Sequence, residues 1–327
     1  TLTFLDNGDV GGSGYDVCTF NHVPTYGDYY NCDMIWTATG GLEAATFMGA
    51  TVKIGFLNDA TGPIATYAAG FVAASQIAVG IANTIGWNSM VQFEIVYADS
   101  GCSGDMGATA AQTLVDAGVV GVVGAACSGA SMAANAVLSA AGIPQVSYAS
   151  TSPALSDATA YPDFYRVVPS DAIQGDAMAD MVSASGVTSP ALVHMTNAYG
   201  SGLADSFESY WTAMGNALCT KLGYEETTTD FSAAVQAVMD AGCDSAVLVS
   251  YSADGAMIIE TMAVMGATIP TFGADGIAGE SALNDYTNTA AANGVQVTYP
   301  RAASGGSGSF GTMCAADTVC GSGIYTL

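Results

Sequence analysis

The sequence predicts an α/β protein of two doubly wound, parallel-sheet lobes behind an atypical, disulfide-clipped N-terminal extension. Two observations carry this reading. From Thr51 onward, short apolar runs alternate regularly with helix-length stretches, the pattern of βαβ units around a parallel sheet. These units are too many for one compact sheet, and the chain divides naturally near residues 167–170.

Residues 1–50 stand apart. TLTFL at the start alternates like a strand, and GYDVCTFNHVPTYGDYYNCDMIW clusters aromatic residues and glycine without helical periodicity. The acidic residues Asp6, Asp9 and Asp16, with Asn7, lack the alternating spacing and closing Glu of a calcium loop. Next come a strand at VKIGFL, a helix over Thr66–Ile85 and a strand at QFEIVYA. A helix over Ala108–Ala117, a strand at VVGVVG, a helix over Ala130–Ala141 and a strand at PQVSYA follow. The second series has helices at Ala172–Ser185, Leu203–Met214, Phe231–Ala241 and Ala256–Met265. Its strands are PALVHM, Leu218–Glu225 and SAVLVS. Past Pro300 the chain becomes rich in Gly and Ser. The expected organisation is therefore an extension at 1–50, a first lobe at 51–168 plus 297–327, and a second at 169–296.

Half of the 327 residues are hydrophobic, but only 10% are charged, with four Lys plus Arg against 29 Asp plus Glu. A net charge of −25 repels phosphate backbones and anionic lipid surfaces, which excludes nucleic acid as a partner. No uninterrupted apolar run reaches the roughly 18 residues of a membrane span, so no insertion is expected. With neither an initiating Met nor a signal peptide at Thr1, the chain reads as a mature, processed product. Eight cysteines in so acidic a chain point to an oxidising, extracellular or periplasmic compartment. Neighbour pairing is the simplest connectivity: Cys18–Cys32, Cys102–Cys127, Cys219–Cys243 and Cys314–Cys320.

The stretch VVGVVGAACSGASMAAN, residues 119–135, is the candidate binding element. A buried strand runs straight into a helix with Ser128 near its N-cap. Free backbone N–H groups at such a turn seat a carboxylate or another small anion.

The loop motifs TGPIATY (61–67), YADSGC (97–102), VVGAACSGAS (122–131), SYASTSPAL (147–155), YRVVPSD (165–171), NAYGSG (197–202), SYSADG (250–255) and FGADGIAG (272–279) occur in one order. In that order the chain from about Thr51 to Arg301 resembles the type I periplasmic binding proteins, specifically the leucine/isoleucine/valine-binding group. The resemblance implies a small ligand, an amino acid, held in a cleft between the lobes. It places the ligand carboxylate on Ser128 and Thr151, with Ala149 and Ser150 in the same loop. Hydroxyls and helix N-terminal amides suit that task without any arginine. It places the ligand ammonium on Asp275, where the family usually has Glu, so this carboxylate is one methylene shorter. Tyr67, Tyr199 and Tyr251 become the aromatic walls, Tyr67 in place of a Trp. Cys102 and Cys127 match the family's disulfide.

Catalysis finds no support. The two histidines, His22 and His194, lie apart, and no G-x-S-x-G elbow, phosphate loop or metal-ligand spacing occurs. Neither a cofactor nor a metal is expected. Two departures from the family remain: the extra N-terminal stretch, and an end soon after TYPRAA, where the family adds further elements to the first lobe. They suggest a second role, in which residues 1–50 complete a neighbouring copy by strand addition and so build a homopolymeric, extracellular filament.

Overall fold

The computed structural model of the chain describes residues 15–23, 27–37, 41–44, 50–84 and 91–300. Three strands, β1 (Tyr15–Val23), β2 (Gly27–Thr37) and β3 (Gly41–Ala44), form a separate antiparallel meander in the order β1-β2-β3. Its backbone register sets Cys18 opposite Cys32. The TLTFL strand and the Cys314–Cys320 pairing lie outside the described residues, as do the side chains of Cys18 and Cys32.

The first lobe contains β4 (Ala50–Asn58), α1 (Ala68–Thr84), β5 (Val91–Asp99), α2 (Gly104–Asp116), β6 (Val122–Val123), α3 (Ser128–Ala140), β7 (Gln145–Ser147) and β8 (Phe164–Arg166). Its sheet is parallel throughout, in the order β5-β4-β6-β7-β8. The second contains α4 (Asp171–Ala184), β9 (Pro190–Met195), α5 (Ala198–Ala213), β10 (Thr220–Tyr224), α6 (Ser232–Asp240), β11 (Ser245–Val249), α7 (Ser252–Met265), β12 (Thr271–Gly273) and β13 (Gln296–Val297). Its order is β10-β9-β11-β12-β13, again parallel. The central strands β9 and β11 are buried at every position, as a parallel sheet covered on both faces requires. One apolar core runs through both lobes, from Leu57 and Leu114 to Phe207 and Trp211.

Several expectations are corrected. The strand expected over VVGVVG shrinks to Val122–Val123. Gly124 leaves it at φ +108°, where a Cβ would lie 2.4 Å from the carbonyl oxygen of Leu57. Three helices begin earlier than their apolar periodicity indicates, because Ser103 and Asn197 cap α2 and α5 and Tyr251 precedes α7. Glycine at a helix start masks the period there: Gly200 sits inside α5 with the position of a Cβ only 2.2 Å from the Met195 carbonyl. Ser128 stands near the cap as expected: it is the first residue of α3, next to Cys127, which holds the cap position without a side-chain bond. The short strands β8, β12 and β13 carry too few residues to show a period. The stretch Ala65–Asn83 is long and apolar enough, by length and composition, to cross a membrane. Within it only Ala68, Gly70 and Ala73 are buried.

Disulfides join Cys102 to Cys127 and Cys219 to Cys243, with Cα–Cα distances of 5.1 and 5.5 Å.

Candidate functional site

Both sheets point their strand C-termini at a shared cleft, and the loops leaving them carry the candidate residues. In the first lobe Asp59, just past β4, ties those loops together. Its carboxylate accepts from the Ser100 hydroxyl at 2.5 Å, from the Cys102 and Ala126 amides at 3.0 and 3.2 Å, and from the Tyr148 hydroxyl at 3.4 Å. Burial nevertheless raises its pKa above the ordinary carboxylate value. The loops after β4, β5 and β6 are thus locked to one another, and the Cys102–Cys127 bond adds a covalent tie beside Ser128. Asp59 lies close to both sulfurs. Because the two are bonded to each other, neither offers a thiolate, and the trio is not a metal site.

The N-terminus of α3 opens onto the cleft beside Ser128, Ala149 and Thr151, all of which line it. Ser128 is buried, and its hydroxyl accepts from the Ser152 amide at 3.2 Å. Hydroxyls and helix-terminal amides therefore face one region, a seat for negative charge with no cation in it. Ser150 behaves differently. Its hydroxyl bonds the Ala125 and Ala126 carbonyls at 3.0 and 2.9 Å and Ser131 at 2.8 Å, so it braces the loop from within and does not line the cleft.

The opposite wall belongs to the second lobe. Tyr199 and Tyr251 stack with centroids 5.1 Å apart and planes 7° from parallel. The Tyr199 hydroxyl donates to Asp275 Oδ1 at 2.7 Å and receives the Gly276 amide at 3.1 Å. That close approach requires glycine, since a Cβ at 276 would stand 2.9 Å from the Tyr199 oxygen. Gln174 donates to the same Asp275 oxygen at 3.0 Å and to Thr298 at 3.1 Å. Tyr67, from the first lobe, reaches across the mouth and donates to the Ala278 carbonyl at 3.0 Å. Thr66 to Ser281 at 3.1 Å and Ser252 to Pro63 at 3.4 Å also join the lobes there.

Asp171 escaped the sequence reading. It stands at the start of α4, fully buried, its amide on the Thr151 carbonyl at 2.9 Å. Burial first, and the neighbouring Asp275 carboxylate second, push its pKa up to about 8; Thr151 and Arg166 pull it partly back. Burial also raises Asp275, against the hydrogen bonds from Tyr199 and Gln174. Two adjacent carboxylates with no buried cation between them strongly disfavour double ionisation. The signal lay in YRVVPSD, where an acidic residue follows Ser170, the cap of α4. Tyr148 escaped as well. It lines the cleft, with its ring stacked on Phe56 at 5.4 Å and tilted against Phe71 at 4.8 Å.

The family model described as periplasmic binding protein matches residues 51–298. Leu/Ile/Val-binding protein homolog 3 of Brucella melitensis is 28% identical over 74% of this chain and 65% of its own length. Metabotropic glutamate receptor 6 of Oryctolagus cuniculus is 37% identical over 37% of this chain and 14% of its own. Among solved structures, the branched-chain amino acid transporter substrate binding protein of Streptococcus pneumoniae, in complex with isoleucine, is 27% identical at a TM-score of 0.65, covering 73% of this chain and 68% of that one. A solute binding protein of R. palustris in complex with 4-hydroxybenzoate, 18% identical at a TM-score of 0.64 over 71% of this chain and 63% of that one, shares the fold. This chain thus spans 65% of the length of its Brucella relative. With the family match running through both lobes, the chain belongs to the type I periplasmic binding proteins.

Proposed function

We propose that this protein is an extracellular or periplasmic binding protein for a small α-amino acid, held between the lobes without chemical change. The ligand carboxylate takes the α3 N-terminus with Ser128 and Thr151. The ammonium takes Asp275, backed by Asp171. Tyr199, Tyr251 and Tyr67 close over the ligand.

The observation that carries this reading is the Asp275 carboxylate, lining the cleft opposite the anion seat with Asp171 buried beside it in the interior. Solved relatives of this fold hold isoleucine in one case and 4-hydroxybenzoate in another. A benzoate brings no cation, so it leaves the carboxylates with only the partial pull of Arg166 on Asp171, whereas an ammonium supplies positive charge at Asp275 itself. Asp275 is shorter than Glu, but Tyr199 and Gln174 hold it from behind, which fixes its reach.

Calorimetric titration of the full chain with leucine, isoleucine, valine and 4-hydroxybenzoate tests the reading. Saturable heat is expected for an amino acid and none for the benzoate. Asp275→Asn should weaken binding by roughly 10²-fold, the scale of one lost charge-assisted contact. Saturation by the benzoate, or amino-acid binding indifferent to Asp275→Asn, overturns the assignment. The filament role draws no specific support from the relatives, whose names are those of binding proteins and receptors.

A further inference from the structure

The cleft does not end at the amino-acid seat. Its cavity, about 700 Å³ in all, continues from Ser128, Thr151 and Asp275 down the face of the first-lobe sheet, beneath α1. The lining turns from polar to aromatic at Tyr67, Phe71 and Tyr148, and then to aliphatic at Ile54, Val79 and Ile95. Ile54 lies four residues before Asn58, the last residue of β4, so the groove descends about 13 Å below the strand ends at ~3.3 Å per residue.

The helix above it is pinned at its ends and along one side. Near its start the Phe71 ring packs on Tyr148 with centroids 4.8 Å apart. At its end the Asn83 amide bonds both the N–H and the C=O of Phe93 on the edge strand β5, at 2.8 and 3.0 Å. Between these, Ser75 bonds Tyr97 at 2.9 Å. Midway along, α1 lines the groove with the small Ala74, so among the described residues the pinned helix leaves that space open. Its lining there is half-buried, so it is an open apolar groove, and a hydrocarbon laid in it removes apolar surface from water.

We propose that the groove is the tail seat of the same ligand, which is an α-amino acid bearing an extended hydrocarbon side chain. This rests on the amino-acid reading above and narrows it. The four-carbon side chain of leucine ends among the tyrosines; a longer chain passes them and buries further methylenes between α1 and the sheet.

The experiment titrates the full chain with 2-amino acids of increasing straight-chain length, from norvaline to 2-aminodecanoate. Each added methylene should raise affinity roughly fourfold, as ~0.8 kcal/mol per buried CH₂ requires. Ala74→Phe, which plugs the groove, should abolish that increment, so the ratio of 2-aminodecanoate to norvaline affinity collapses. Norvaline binding with no gain along the series overturns the inference and leaves the groove to a protein segment or a second copy of the chain. A gain that survives Ala74→Phe overturns it equally. Failure of every member, norvaline included, instead sinks the amino-acid reading on which this one stands.

Discussion

The charge state of Asp171 decides how the site answers a cation. In the empty cleft the pair Asp171–Asp275 keeps a proton near neutral pH, since the Asp171 carboxyl stands at about 8 and Asp275 is also raised. An ammonium arriving beside them favours both ionised forms, so the proton must leave. Amino-acid binding at pH 7 should therefore release about one proton to the buffer. Calorimetry in phosphate and in Tris, whose ionisation heats differ widely, reads this directly. The apparent heat should differ between the buffers in the native chain and agree in Asp171→Asn. Equal heats in the native chain would place the ammonium elsewhere. Ser128 carries the opposite charge problem. Its hydroxyl is held by the Ser152 amide, and Ser128→Ala should weaken a carboxylate ligand by about tenfold, near 1.4 kcal/mol, while leaving the buffer dependence intact. Loss of that dependence would mean that the two ends of the seat do not act separately.

At the scale of elements, the turn from β6 into α3 is held by its neighbours more than by its own sequence. Asp59 accepts from the amides of Cys102 and Ala126, and the disulfide spans a separation of 25 residues between the same two loops. By loop-closure entropy that bond stabilises the fold by about 3.5 kcal/mol. The double change Cys102→Ser, Cys127→Ser should lower the urea-unfolding free energy by this amount and loosen the Ser128 seat. An unchanged midpoint would show that Asp59 alone suffices. The alternation of strands and helices, and the loops that carry Ser128, Thr151, Asp275 and the tyrosines, were legible because parallel strands read as continuous apolar runs and their loops as glycine-rich breaks. Ser150 was misleading, since a hydroxyl in a loop has no period to tell inward from outward. Asp171 stayed hidden because its importance comes from Asp275, more than a hundred residues away in sequence and adjacent only in the fold. The early start of α5 was hidden by Gly200 and Gly202, which the helix admits only through close contacts with Met195 and Pro153.

Over the whole molecule two electrostatic terms act on stability, and pH and salt separate them. The net charge of −25 is a diffuse, solvent-exposed repulsion, screened within about 10 Å at 0.1 M salt. The buried pair is local and largely shielded from salt. Its sign is fixed by the direction of its shift. In the unfolded chain Asp171 ionises near 3.8, whereas folded it holds its proton to about 8. The folded state then binds more protons across this window, so the contribution is fully present below pH ~4 and is lost as pH rises toward ~8, at no more than about 1.4 kcal/mol per pH unit for one group. Asp254, raised by burial to about 6, adds in the same direction over the lower part of the window. The ligand-free protein should accordingly lose unfolding free energy between pH 5 and 8, more steeply than surface repulsion alone requires. Added NaCl should raise the whole curve by screening the diffuse term but leave the slope. Asp171→Asn should flatten the slope, and so should a bound amino acid, whose ammonium removes the need for the proton. Chemical denaturation across that pH range at 0.05 and 1 M NaCl, with and without ligand, checks each arm. A slope that disappears in salt yet survives Asp171→Asn would assign the pH dependence to the surface and leave the carboxylate pair without a thermodynamic role.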